Sequence, residues 1–452
     1  PFDGMHVGAM VVDVASGETL YSRNSGRRFA PASNQKLLTT IAALERLGPE
    51  YRFSTAMRAD GTMGPEGILV GDLVVEGVGD PTLSERYYDD AEVPLRDLAR
   101  QLRDSGLRRV RGALVIDAAA WDSARVEATW MWGDLPYGYA ALGGPFVVAE
   151  GTAQVEVRGG AVGDPVVIRW WPLGDPDRFT ASARSAPASD SVDLDAELQG
   201  RPRGVEVTGT IEAGTTDTLE LSVQEPVREA AAVLHRVLAD HGIEVDGGIE
   251  VRRTEPPCRA AGPCRRLPEL ARLESPTLME IVQGVMEPSQ NWMAEQLLHH
   301  LGAVDGERAG PSEGLRVMRG ILQSDFGLES MDIDLRDGSG LSAYNLVTPR
   351  ALIQLLRTVH TRPWAAAYAA ALAEPGEDDS TLERRLEGLE GRLYAKTGTI
   401  THVNSLSGYV DTADGRRLAF AFLTNGSGLR SSQVRAVIDQ AVRHLAQGPG
   451  QS

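Results

Sequence analysis

Pro31-Ala-Ser-Asn-Gln-Lys36 runs without a break into Leu37-Leu-Thr-Thr-Ile-Ala-Ala-Leu-Glu-Arg-Leu47, and Gly48-Pro49 stops it. The apolar spacing predicts an amphipathic helix with Ser33 at or just inside its N-terminus. Ser33 and Lys36 then stand one turn apart on one face. A serine hydroxyl is a poor nucleophile until a base takes its proton, and a neighbouring amine with a depressed pKa can be that base. The helix N-terminus adds N–H groups and a positive dipole end, both suited to an oxyanion.

The lysine is informative in its own right. Of 45 basic residues in this 452-residue chain only Lys36 and Lys396 are lysines; the other 43 (45 less these two) are arginines. A guanidinium stays protonated at any ordinary pH, whereas an amine sheds its proton when desolvated or set beside another cation. Drift toward arginine accounts for the arginines. It does not account for both remaining lysines standing in short motifs.

The second of those motifs is Lys396-Thr397-Gly398-Thr399, in a strand-like context. Gly398 lets a substrate backbone come close, and the ammonium with two hydroxyls makes a compact anchor for a carboxylate. Standing alone it reads as well as an edge strand whose lysine deters aggregation. Between the two lies Ser289-Gln290-Asn291, where a hydroxyl and an amide two residues apart can relay a proton and hold a carbonyl. Its plain alternative is a helix cap after Pro288.

Around these motifs the chain reads as a split α+β protein. The stretch Gly8 to Ser22 predicts two strands about an Ala15–Glu18 turn, and Leu406–Asp411 with Leu418–Thr424 predicts a hairpin. Helical patterns cover Thr277 to Leu301, Pro349 to Thr361 and Ser431 to Ala446. From about Tyr51 to Val251 short β-rich runs prevail. Within them Leu95–Ile116 and Val227–Val251 repeat one order of helix, Gly-Leu or Gly-Ile, Val-x-Gly and strand. Ala181 to Asp190 reads as an exposed loop. Strands at both ends and a β-rich middle fit one domain interrupted by an insertion. We therefore expect a discontinuous domain of residues 1–55 and 265–452, an inserted domain of 56–154 and 221–264, and a nested smaller one of 155–220.

A net charge of −18 argues against nucleic acid and anionic lipid, and no apolar run approaches the ~18 residues of a membrane helix. The chain begins at Pro1, which suits either a removed leader or a trimmed sequence. Cys258 and Cys264 flank a turn-like spacer that suits a small-loop disulfide in an oxidising compartment, with two free thiols as the alternative. The pair His299-His300 cannot face one ligand position on a helix and reads as surface or interface. No metal and no cofactor is called for.

Taken in order, Ser-x-x-Lys, Ser-x-Asn and Lys-Thr-Gly are a signature of penicillin-binding proteins and class A β-lactamases. The chain resembles a low-molecular-mass class C penicillin-binding D-alanyl-D-alanine carboxypeptidase, whose insertion falls between the first two motifs. Lys36 and Ser289 are 253 positions apart (289 less 36), too far for a β-lactamase. Gly79-Asp-Pro-Thr-Leu83, Trp132-Gly-Asp-Leu-Pro136 and Asp337-Gly-Ser-Gly-Leu-Ser342 with Asn345 and Thr348-Pro349 resemble further family stretches. Glu287, Gln290 and Ala343 depart from residues common in the family, which bears on stem-peptide preference. Asp134 and Tyr137 read first as residues that fold their own loop.

The resemblance implies an antiparallel sheet flanked by helices, and a catalytic set of Ser33, Lys36, Ser289, Asn291 and Lys396. Ser33 would be the nucleophile, Lys36 its base, Ser289 the proton relay and Asn291 the group orienting Lys36. Thr397, Gly398 and Thr399 would help Lys396 bind the terminal carboxylate, with backbone N–H groups of Ser33 and Thr399 as oxyanion donors. Implied partners are peptidoglycan peptides and, as covalent inhibitors, β-lactams, in a periplasmic or other extracytoplasmic setting. A DD-endopeptidase uses the same residues. A β-lactamase or esterase, and a non-catalytic wall-binding protein, are the alternatives.

Overall fold

The computed structural model describes residues 4–122, 126–172, 174, 178–188, 193–200, 204–254, 267–304 and 308–448. The chain forms two compact units, one of Pro1–Tyr51, Glu127–Thr129 and Thr277–Ser452, the other of Arg52–Val126 and Trp130–Pro276.

The first unit is built on a five-stranded antiparallel sheet in the order Leu393–Ile400, Val403–Asp411, Arg417–Asn425, His6–Asp13, Thr19–Arg23. The two ends of the sequence meet inside it, with Val11 opposite Phe420 and Ala9 opposite Phe422. Leu393–Ile400 is an edge strand, so one side of its backbone is free to meet something other than sheet. Helix Ser431–Gln447 covers one face through Val434, Ile438 and Val442, packed on Val11, Leu406, Val410 and Phe420.

Helix Gln35–Leu47 is buried continuously from Gln35 to Leu44. Its polar Gln35, Lys36, Thr39 and Thr40 are enclosed along with its apolar side chains, because it packs against Asn291–Val304 and Pro311–Ser324. The helical pattern from Thr277 to Leu301 is two helices, not one. Thr277 and Glu280 form a capping box for Leu278–Met286, and Pro288 and a left-handed Ser289 (φ 68°) end it before Asn291 starts the next.

In the second unit the strands leading in and out of the insertion lie side by side, Ser54–Met63 antiparallel to Glu269–Glu274 with Thr55 opposite Leu273. The two similar helix–strand segments pair in parallel, Val110 beside Val245 and Ile116 beside Val251. Their shared glycines have a physical reason, since a Cβ on Gly247 would lie 2.6 Å from the Gly112 carbonyl carbon. A separate core of Val155, Val157, Phe179, Val207, Ile211 and Leu221 draws its buried residues from Ala153 to Val223, with Tyr137 packed against it.

Two expectations need correction. Arg184–Ala186 is a strand parallel to Val205–Glu212, and Ala183, Ser185 and Ala186 are buried, because small side chains fit beneath a sheet edge. His299 and His300 are buried, not at a surface, each with a partner: Glu127 Oε1 at 2.9 Å and Tyr51 Oη at 2.8 Å. Cys258 and Cys264 lie outside the described residues.

Candidate active site

Ser33 sits in the 3₁₀ turn Ala32–Asn34 that feeds helix Gln35–Leu47, half-buried between fully buried neighbours. That turn is wedged between two glycines. A Cβ on Gly398 would lie 2.2 Å from Ser405 Oγ and 2.9 Å from Ser33 N, and one on Gly340 would lie 1.9 Å from Ala32 O. Only a residue without a side chain permits this approach. Ser405 Oγ donates to Pro31 O at 2.7 Å and Asn34 Nδ2 to Ser407 Oγ at 2.8 Å, so the sheet grips the turn from below.

Lys36 Nζ lies 3.0 Å from Ser33 Oγ, 2.6 Å from Asn291 Oδ1 and 2.9 Å from Ser339 O. The last two can only accept. A neutral amine has two N–H bonds for them and one lone pair left, which then faces the serine hydroxyl. Burial favours that form: it brings the Lys36 ammonium down to about 7, against the pull of Asp337 and Glu295. Ser33, Lys36 and Asn291 are thus brought together from either side of the insertion in the chain.

Lys396 is fully buried, and its Nζ has no hydrogen-bond partner among the described residues. Desolvation, and then the charge of Lys36, hold it well below the ordinary lysine range. An anion docking there would favour its charged form, because an opposite charge within a few ångströms does so. Thr397 Oγ1 donates to Thr381 Oγ1 at 2.9 Å. Ala395 N–H points off the sheet edge to Ala373 O at 3.0 Å. Strand alternation therefore directs the N–H groups of Thr397 and Thr399 to the same open side. Ser289 stands two residues before Asn291, half-buried in the left-handed link (φ 68°) ahead of that helix.

From its sequence the Asp337–Ser342 stretch reads as a tight glycine turn or a side-chain subsite; in the structure it is a turn, and its backbone meets Lys36. Asp337 accepts from Gly340 N (2.8 Å), Ser342 N (2.6 Å) and Asn345 Nδ2 (2.7 Å), which closes a tight turn. That turn presents Ser339 O to Lys36. Its glycines signalled a turn, but nothing local signalled where its carbonyls would point. Asp134 does fold its own loop, accepting from Tyr139 Oη at 3.0 Å, whereas Tyr137 donates to Asp195, 58 positions on in strand Asp193–Leu198.

No helix of the described residues is long and apolar enough to cross a membrane. The D-alanyl-D-alanine carboxypeptidase of Actinomadura sp. (strain R39) is 34% identical over 442 residues, covering 94% of this chain and 78% of that protein. The carboxypeptidase DacB of Haemophilus influenzae is 25% identical, covering 98% of this chain and 91% of its own. The crystal structure of penicillin binding protein 4 from Haemophilus influenzae has the same fold, with a TM-score of 0.86 at 24% identity over 98% of this chain and 97% of that one. A family model matches from residue 2 to residue 448, through both halves of the split unit and the insertion between them. A serine, a buried amine and a cationic edge strand have thus been met in the order and fold of known penicillin-binding serine peptidases, and the chain belongs to the D-Ala-D-Ala carboxypeptidase 3 (S13) family.

Proposed function

We propose that this enzyme removes the terminal D-alanine from peptidoglycan stem peptides through an acyl-enzyme on Ser33. The observation that carries the reading is Lys36, a buried amine with two acceptors for its N–H bonds and Ser33 Oγ 3.0 Å away for its lone pair.

Ser33 Oγ attacks the carbonyl carbon of the penultimate D-alanine while its proton passes to Lys36 Nζ. The negative charge that develops on the carbonyl oxygen meets the backbone N–H groups of Ser33 and Thr399; losing one such donor typically costs about 10²–10³ in rate. Lys396, Thr397 and Thr399 hold the terminal carboxylate, whose arrival gives Lys396 an anionic partner. Protonated Lys396 in turn lowers Lys36 further and favours its role as base. Ser289 passes a proton to the leaving amine as the carbon–nitrogen bond breaks, D-alanine departs, and water hydrolyses the ester. A β-lactam would follow the same path to a lasting covalent adduct. The substrate sets the location as extracytoplasmic, in a periplasm or at the wall.

Digestion of defined muropeptides followed by mass spectrometry tests this. Loss of one alanine from monomers supports the carboxypeptidase, and cleavage of cross-linked dimers adds endopeptidase activity. Unchanged masses, with no penicillin adduct on Ser33, refute the reading.

A further inference from the structure

Glu295 lies one turn beyond Asn291 on the same helix, is 2% exposed, and faces backbone. Its Oε1 accepts from Ser339 N–H at 2.7 Å and from Gly338 N–H at 3.1 Å, and its Oε2 from Gly338 N–H at 2.9 Å. The Ser339 N–H belongs to the same planar peptide group as the Gly338 carbonyl, which accepts from Thr39 Oγ1 at 2.7 Å. That rigid plate therefore bridges Glu295 on one helix and Thr39 on the other. The next peptide group repeats the arrangement: Gly340 N–H donates to Asp337 Oδ1, and the Ser339 carbonyl accepts from Lys36 Nζ. Behind Glu295 stand Glu127 and His299, bonded to each other at 2.9 Å.

We propose that Glu295 is a positioning residue for acyl transfer: by seating the Gly338–Ser339 peptide it fixes the Ser339 carbonyl, and so aims the Lys36 lone pair at Ser33 Oγ. Without it two buried N–H groups lose their acceptor, and the loop can turn the Ser339 carbonyl away from the amine. Lys36 then keeps one acceptor instead of two, and its lone pair has no fixed direction. Lys36, Asp337, Glu127 and His299 are the titratable groups facing this carboxyl. Burial, Asp337 and Glu127 raise its pKa, but the role holds in either protonation state, since a neutral acid keeps a carbonyl oxygen for the two amides.

The inference rests on the proposed assignment of Ser33 as the nucleophile that Lys36 activates, and the test separates the two. Wild type, Ser33→Ala, Glu295→Leu and Glu295→Gln are compared for acylation rate with a fluorescent penicillin, for kcat and KM on an acyl-D-Ala-D-Ala peptide, and for melting temperature. Glu295→Leu, which fills the space without an acceptor, is expected to lower acylation and kcat by about 30-fold or more, with KM within about threefold because the carboxylate anchor is untouched. Glu295→Gln, which keeps an acceptor oxygen, is expected to recover to within about threefold of wild type. A folded Glu295→Leu that acylates at the wild-type rate, or a Glu295→Gln as slow as Glu295→Leu, overturns the proposal. Should Glu295→Leu not fold, Glu295→Gln decides: retained activity supports the acceptor role, and a slow, folded protein sinks it. Labelling that survives in Ser33→Ala would instead overturn the assignment of the nucleophile.

Discussion

Asn291 Oδ1 accepts a hydrogen bond from Lys36 Nζ at 2.6 Å, across 255 positions of sequence. The entire inserted unit lies between those two residues in the chain. Asn291→Ala leaves a buried amine short of one acceptor and free to rotate. Acylation by a fluorescent penicillin is expected to fall by about 10²-fold, the scale of misplacing a general base. A wild-type rate in a folded variant would remove Asn291 from the site.

The two lysines predict different responses to arginine. Lys36→Arg abolishes acylation, because a guanidinium cannot take the serine proton at working pH. Lys396→Arg keeps a cation and so keeps part of the carboxylate binding, though the larger group in a fully buried position costs about 1–3 kcal/mol of stability. Steady-state kinetics on a D-Ala-D-Ala peptide separates them, and equal losses would contradict the division of roles.

The acylation rate of the free enzyme should climb with pH through about 7, where Lys36 becomes a neutral base, and then level. The sign for stability follows from the same group. Its folded pKa lies below its unfolded value of 10.5, so between about 7 and 10.5 the unfolded chain binds more protons and stability rises with pH. A rate that does not change between mild acid and mild alkali would show that Lys36 is not the titrating base.

Gly398→Ala tests the closeness of strand and nucleophile. Its Cβ would sit 2.2 Å from Ser405 Oγ, 2.8 Å from Pro31 O and 2.9 Å from Ser33 N. Ser405 can rotate, but the two backbone atoms cannot yield without moving Ser33. We expect about 1–3 kcal/mol of destabilisation by chemical denaturation and slower acylation at temperatures where the protein stays folded. Unchanged stability would mean the turn is less tightly held than the distances indicate.

Much of the site was legible because its signals are local. Ser33 and Lys36 meet through helical spacing, and Lys396 to Thr399 share one strand, so residue type and interval suffice. The hairpins and the closing helix were legible for the same reason, from alternation and periodicity. The helix break carries a local mark as well, Pro288 within the polar run from Glu287 to Asn291, although helical spacing resumes on both sides of it.

What the amino-acid order determined by itself is the candidate set for the proposed chemistry: a hydroxyl and an amine one helical turn apart, and a lysine-bearing strand, each set by spacing within a few residues. Only the tertiary structure decided what stands behind them. Glu295, Ser339 and Asp337 join the site through hydrogen bonds to peptide groups, and a backbone N–H or carbonyl carries no mark of identity in a sequence. The same holds for His299, which is buried because Glu127 arrives from 172 positions away to meet it. Burial depends on which surfaces the fold brings into contact, and with it the lowering of the Lys36 pKa that allows an amine to act as a base.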